Sequence, residues 1–548
     1  MNARVPARRP VPRHKDGHPG TVAINFVESR IDAIFAELNQ CQRPGGVVGI
    51  AIGGKPVYRK GLGLANMELP VLLSPAMRMR IYSTSKHFTC LAYLLLCEEG
   101  RAGLDMPIGK ILPELNAVTR AVTPRQLMGN ISGLRDAHDI CYQFSGTGHS
   151  VGTDELLGFY RDVDDVNFAP GMAWCYNNGG FLILTVAIER IAGCSLEEFL
   201  RKRIFEPVGL HDTLLRRFDT DFVPNSATMH TWSSEDRYEK AYLGTASAGE
   251  GGIVSTVDDM LRWLAHMDDP SVGTPATWTL MQTPQFLTNG ATTDYGLGLI
   301  AGRHGRQRTV HHGGGGMGAN SQMIKVPAAQ LDVVVMLNRD DANGQMLANQ
   351  ILDACLGDDG HQETSQSARP VEGTFRSPIT GRVGQLFPLD VRQIISLDGW
   401  DIPAHADSRG VLRPAGTYEM IKWELTLLGD PANPSAVRLV DFGTVDELIR
   451  VERSTPHDPQ ALVGSYRSQS TGTHIVIGGR LGELHLKSTG RFGEVLYKLE
   501  WLGELLWRIR SVGTTATFLG GILSFDADYG AFRFSNYRTR ALRFQRDV

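Results

Sequence analysis

Several things are scarce in this chain. It has only seven cysteines in 548 residues, at positions 41, 90, 97, 141, 175, 194 and 355. The number is odd, no Cys-x-x-Cys occurs and no spacing fits a zinc site, which argues against a disulfide framework and a structural metal. Buried reduced thiols are the expectation. Long apolar runs are missing too: the longest, 91–97 and 181–188, fall far short of the ~20 residues that cross a bilayer. The N-terminus (MNARVPARRPVPRHKDGHPG) is basic and proline-rich but lacks the apolar stretch of a secretory signal. Positive charge is not in excess, with 55 Lys and Arg against 59 Asp and Glu. These absences lead us to expect a cytoplasmic protein with neither a membrane nor a nucleic-acid partner.

What remains has globular composition, 42% hydrophobic and 21% charged. Glycine is abundant, at 61 residues, so tight turns and glycine-built loops are expected. At about 150 residues per domain, the length allows two to four domains. Residues 1–22 read as a disordered basic tail, with a polyanion-binding arm as the other reading. Residues 26–38 have helical periodicity, and VVGIAIGG reads as a strand. SKHFTCLAYLLLCEE, from 85 to 99, reads as a buried helix. FLILTVAIERIAG and TVDDMLRWLAHM read as further helices, DVVVMLN at 332–338 as a strand, and MLANQILDACLG as the closing helix. An α/β or α+β domain over 23–360 follows from this mixture.

At 357–370 the composition turns polar and linker-like, and beyond it come short alternating strands with turn signals. An internal repeat lies there. Residues 371–377 (VEGTFRS) resemble 462–468 (LVGSYRS), and 448–453 (LIRVER) resemble 541–546 (ALRFQR). Two related antiparallel β-domains, 371–454 and 460–548, are the economical interpretation.

Three segments can carry chemistry. Ser83-Thr84-Ser85-Lys86 is an S-x-x-K at the start of the buried helix. Residues three apart share a helix face, so the Ser83 hydroxyl and the Lys86 amine can meet. A serine needs a base to become a nucleophile. A free lysine is neutral in only about one molecule in 2,500 at pH 7, so burial and a second cation must depress its pKa. Alone, such a four-residue pattern also arises by chance. Tyr176-Asn177-Asn178 follows a turn (FAPGMAWC) that delivers the tyrosine to a helix start. Tyr176, as a phenolate beside an ammonium, can share proton transfer, and the Asn178 amide can hold substrate or Lys86. A loop tyrosine and a capping asparagine explain the same residues without chemistry.

His311-His312-Gly313-Gly314-Gly315-Gly316-Met317-Gly318 admits three readings. It contains GxGxxG, but strand-like sequence follows where a phosphate-binding helix is required. Two adjacent histidines suggest a metal, but neighbours on a strand point to opposite faces. The third reading is an edge strand carrying His312, with glycines that let a substrate backbone approach.

In the order S-x-x-K, Y-x-N, H-x-G, these elements resemble the three-part site of the penicillin-recognising serine enzymes. The Y-x-N and H-x-G variants look like the class C β-lactamase-like serine peptidases and esterases. RIYSTSKHFT, QLMGNISGLRD, RIFEPVGLHDT, AGEGGIVSTVDDMLRWL and YGLGL carry the same resemblance over about 45–345. H-x-G together with two trailing β-domains is similar to the bacterial D-aminopeptidases, as is NxSGLRD, which has Asn130 where most members have His.

The resemblance implies a transpeptidase-like domain, an antiparallel sheet flanked by helices, followed by two antiparallel β-barrels. It implies an acyl-enzyme on Ser83, with Lys86 and Tyr176 moving its proton and Asn178 orienting substrate and Lys86. Backbone N–H groups of Ser83 and Gly315, with Gly314 beside them, are the expected oxyanion and substrate contacts. No cofactor and no metal is implied. His312 stands where carboxypeptidases and β-lactamases carry a lysine, and a largely neutral imidazole weakens attraction for a substrate carboxylate. The implied substrate is a small peptide, amide or ester with a free N-terminal amine, from which an N-terminal D-residue such as D-Ala is released. An esterase or β-lactamase-like hydrolase of the same fold is the alternative, and an inactive protein binding peptides or cell-wall fragments is a third. The resemblance also implies a homodimer and a loop of the last β-domain over the site, whose positional counterpart is 508–519. That stretch contains no acid to hold an ammonium.

Overall fold

The computed structural model describes residues 22–233, 237–357, 370–390, 392–415, 421–452, 459–480, 482–513 and 518–547. The expected tail (1–22) and linker (357–370) fall almost wholly outside them.

The first domain is built on a six-stranded antiparallel sheet. Its strands are β1 (Gly46–Ile52), β2 (Lys55–Leu62), β3 (Ile300–His304), β4 (Gln307–Gly316), β5 (Ala319–Val326) and β6 (Leu331–Leu337). Their spatial order is β3-β4-β5-β6-β1-β2. Successive side chains of a strand face opposite ways, so each central strand feeds two layers. Val48, Ile50, Val333, Val335 and Leu337 pack against α1 (Glu28–Ile34) and a C-terminal helix, Gly344–Leu356. Val47, Val334 and Met336 join the main core with α2 (Lys86–Glu98), α4 (Asn178–Ala192) and α5 (Val257–His266). Both faces being covered explains why these strands read as continuous apolar runs. Helix α2 is apolar all round because it runs through this core, buried from Lys86 to Leu96.

Beyond residue 370 lie two closed eight-stranded antiparallel barrels, with strands running from Gly373 to Arg450 and from Gly464 to Arg546. The two repeated segments open and close each barrel: Phe375 pairs with Arg450, and Tyr466 with Arg546. Closure removes the exposed edges that an open sheet would carry.

The second barrel is plugged by the first domain. Helix α3 (Ala137–Ser145) sends Ile140 and Phe144 into the barrel's core, with Phe144 5.1 Å from Phe534 and 5.4 Å from Phe544 between ring centroids. The Tyr497 hydroxyl donates to the Gln143 carbonyl at 2.7 Å. In each barrel the last hairpin faces the first domain. The first barrel's turn, Phe442 and Gly443, puts Phe442 5.6 Å from Trp174. The second barrel's longer turn spans 536–541. Among the described residues, no single helix is long and apolar enough to cross a membrane.

Candidate active site

The turn that carries Ser83 is a tight 3-10 segment, Tyr82–Ser85, leading straight into α2. Tyr82 has φ +44°, a left-handed conformation that costs a non-glycine residue free energy. It is held there by its surroundings: its hydroxyl donates to the Met317 carbonyl at 2.7 Å, and its ring leaves no room for a Cβ at Gly316. The result is a part-exposed Ser83 one turn ahead of a fully buried Lys86.

Lys86 Nζ lies 3.0 Å from Ser83 Oγ, 2.7 Å from Asn178 Oδ1 and 2.7 Å from the Glu250 carbonyl. It also sits 4.7 Å from the centre of the Tyr176 ring. Burial pulls the Lys86 pKa from its ordinary 10.5 down to about 7; the Glu250 charge opposes this and the Arg538 guanidinium assists it. A large fraction of the amine is therefore neutral near pH 7, as a base requires. Burial pushes the Tyr176 phenol the other way, well above its ordinary value, against a hydrogen bond with Ser83 that lowers it. Tyr176 is thus a protonated phenol, not the phenolate that its position beside an ammonium had led us to expect. It can pass a proton on, while Lys86 is the group able to take the first one.

Asn178 is the first residue of α4, and a carboxylate fixes it there. Asp136 accepts from the Asn178 N–H at 3.0 Å and the Gly179 N–H at 3.1 Å, supplying negative charge at the helix N-terminus. Asn177 caps the same turn through Gly180 N–H at 2.9 Å. Asn130 sets the loop before it. Its φ is +58°, which asparagine tolerates, its carbonyl takes the Cys175 N–H at 2.9 Å and its Oδ1 the Asn177 N–H at 3.0 Å. Tyr176 is pinned between these two bonds.

His312 lies on β4, facing the same side as Gly314 and Gly316. The strand is not at the edge of the sheet as expected: β3 pairs beside it. That pairing stops at His311, however, so residues 312–316 have β5 as their only partner strand among the described residues, and on the other side the His312 carbonyl accepts from the Thr84 hydroxyl at 3.3 Å. The chain comes so close to the nucleophile turn that a Cβ at Gly314 would lie 2.0 Å from the Ile81 carbonyl oxygen. Gly315 faces the other way, where a Cβ would meet nothing closer than 4.0 Å.

The His312 ring is buried. Nδ1 lies 2.5 Å from the Gly313 carbonyl, which can only accept, so Nδ1 carries the proton and Nε2 accepts from the Tyr295 hydroxyl at 2.9 Å. Burial, with Lys86 nearby, holds its pKa well below the ordinary value. His312 is a neutral strut between β4 and Tyr295. His311 points away from it, 3.2 Å from Gln322. The two imidazoles share no ligand space, and β5 follows where a dinucleotide site would need a helix. Among the described residues, no group of three or more His, Cys, Asp or Glu could hold a metal ion.

Ser83, Lys86, Tyr176, Asn178, His312, Gly314 and Gly315 therefore come from three separate stretches to one place. Sequence reasoning missed Asp136 and Tyr295 as parts of it, although both lie in segments that carried the resemblance. It also missed Arg538, and no local signal marks that residue. Of the stretch 508–519, expected over the site, Arg508 bonds to Asp401 of the first barrel and Phe518 meets Tyr142 of α3, while 514–517 lie outside the described residues. Among the described residues, the last hairpin reaches Tyr176, with the Arg538 guanidinium 5.3 Å from the centre of its ring.

Comparison with known proteins fits this geometry. The D-aminopeptidase of Gluconobacter oxydans (strain 621H) is 28% identical over 347 residues, covering 63% of this chain and 65% of that protein. The D-aminopeptidase of Brucella canis is 29% identical over 347 residues, covering 62% and 65%. The chain thus spans just under two-thirds of the length of these relatives. Among solved structures, the octameric penicillin-binding protein homologue from Pyrococcus abyssi superposes with a TM-score of 0.56 at 22% identity, covering 77% of this chain and 98% of that one. The D-amino acid amidase from Ochrobactrum anthropi SV3 does so with a TM-score of 0.51 at 22% identity, covering 60% and 97%. These two likenesses show the fold. The sequence model of the beta-lactamase family matches residues 31–357, more than half of the chain. On that match, and with S-x-x-K, Y-x-N and H-x-G converging as described, the chain belongs to the beta-lactamase family.

Proposed function

We propose that the protein is a D-stereospecific serine aminopeptidase that releases a small N-terminal D-residue from peptides, amides or esters through an acyl-enzyme. The observation that carries the reading is the 3.0 Å contact between Ser83 Oγ and a Lys86 amine whose pKa is near 7. The D-aminopeptidase relatives support the stereochemistry and the bond cut.

Lys86 takes the Ser83 proton as Oγ bonds to the substrate carbonyl carbon. The oxyanion rests against the backbone N–H groups of Ser83 and Gly315. Collapse breaks the bond to the leaving nitrogen, which receives the proton from Lys86 directly or through the Tyr176 hydroxyl. A water then attacks the acyl carbon and gives its proton to Lys86; collapse breaks the bond from that carbon to Oγ, Lys86 returns the proton to Ser83, and the acid is released. Asn178 keeps the Lys86 amine aimed at the hydroxyl throughout.

The test is hydrolysis of D-Ala-p-nitroanilide beside L-Ala-p-nitroanilide, p-nitrophenyl esters and a chromogenic cephalosporin, with mass spectrometry of the trapped adduct. Preference for the D-anilide and an acyl group on Ser83, lost in Ser83→Ala, is the expected result. Turnover of esters alone makes the protein an esterase, and hydrolysis unchanged in Ser83→Ala removes the mechanism.

A further inference from the structure

Beyond helping to depress the Lys86 pKa, one charged group at the site has donors that the aminopeptidase mechanism does not use. Arg538 stands on the hairpin of the second barrel, and its guanidinium faces both the Tyr176 ring, at 5.3 Å, and Asp136, to which Nη1 donates at 3.3 Å. That is one hydrogen bond from a group with five N–H donors. Its side chain keeps 27% exposure, and among the described residues its remaining donors have no hydrogen-bond partner.

The hairpin does not depend on this guanidinium for its position. Asn536 Nδ2 and the Thr539 hydroxyl both donate to the buried Asp139 carboxylate, at 3.1 and 2.7 Å. Asn167 takes the Arg540 N–H at 2.9 Å and donates to the Arg538 carbonyl at 2.7 Å. Arg135 donates to the Arg540 carbonyl at 2.6 Å. The backbone on both sides of Arg538 is thereby clamped to the first domain, and the cation is presented ready-placed.

The carboxylates nearby do not compete for a ligand. Asp136 is 1% exposed in its side chain and holds four donors: His138 N–H, Gly179 N–H, Asn178 N–H and Arg538. Asp139 and Glu250 are buried. The accessible charge beside Tyr176 is positive, and Tyr176 with Lys86 serves the leaving nitrogen. In a peptide the carboxylate carbon of the released residue lies about 2.5 Å, two bonds, from that nitrogen.

We propose that Arg538 binds a substrate carboxylate, and that the preferred substrate is a short peptide whose free C-terminus lies one residue beyond the bond that is cut. This rests on the aminopeptidase reading and supplies its leaving-group side. The expectation from His312 that a carboxylate would be poorly held considered only β4; the cation comes from another domain.

The full-length protein is assayed on D-Ala-Gly and on its C-terminal amide. A guanidinium–carboxylate contact predicts a kcat/KM about tenfold higher for the free acid. Added salt erodes that preference. In Arg538→Gln the acid-to-amide ratio falls to about one. A wild-type ratio of one or below overturns the inference without any variant, as does a ratio that survives Arg538→Gln. Turnover of D-Ala-p-nitroanilide with equal rates on the two peptides overturns this inference and leaves the proposed function standing. No turnover of any D-alanyl compound overturns the proposed function, and this inference with it.

Discussion

On the proposed mechanism, the protonation of Lys86 decides when the site works. A base acts in its neutral form, and Lys86 becomes charged as the pH falls through about 7. We predict that kcat/KM drops on the acid side of pH 7 and levels off above about pH 8. The Asn178 carbonyl oxygen, 2.7 Å from Nζ, accepts without carrying charge. Asn178→Asp would put a carboxylate there, favour the ammonium and raise the Lys86 pKa. The acid limb of the pH–rate profile then moves to higher pH by on the order of one unit, and an unmoved limb would show that another group sets it. At this scale the sequence was informative where partners are three residues apart, as Ser83 and Lys86 are. It was silent on Arg538, because nothing local links a barrel hairpin to Tyr176, and burial reversed the expected state of the phenol.

Among the elements, β4 is the one whose composition is most tightly bound to its place. Its glycines are not interchangeable. A Cβ at Gly314 meets the Ile81 carbonyl oxygen at 2.0 Å and Ser321 Oγ at 2.8 Å, whereas at Gly315 it meets nothing closer than 4.0 Å. Gly314→Ala must push β4 off the nucleophile turn at a cost of about 1–3 kcal/mol, and Gly315→Ala need not. Thermal melts of the two variants should separate them, with the larger loss at Gly314; equal midpoints would contradict the close approach. The glycine run was read as room for a substrate backbone, whereas the backbone that Gly314 admits is the chain's own, at Ile81. The strand's true position was hidden because β3 is short: its partner beyond His311 is missing, so half of an interior strand behaves as an edge. The buried helix α2 was plain from its unbroken apolar sequence.

The whole molecule is held together by exchange between its parts. The repeat in the sequence disclosed two similar β-domains, yet not that α3 of the first domain would complete the second barrel's core. Pattern within a segment reports its own faces; it does not say which face another domain will fill. The buried Asp139 tests this coupling. It relies on Asn536 and Thr539 across the boundary, so Asn536→Ala strips donors from a carboxylate that water cannot reach. We expect about 1–3 kcal/mol of lost stability and, because the hairpin loosens, a smaller preference for D-Ala-Gly over its amide. A variant with wild-type melting and wild-type preference would mean that the hairpin is held by other contacts.

The paired hairpins carry a consequence for how such a protein changes. In the first barrel the turn is two residues, Phe442 and Gly443, wedged beside Trp174; in the second the same turn has grown to span 536–541 and touches Tyr176. One turn thus braces Trp174 while its counterpart, six residues long, meets the phenol of the site. On the proposed role of Arg538, selectivity can be rewritten in a handful of residues far along the chain, leaving Ser83, Lys86 and the sheet beneath them untouched.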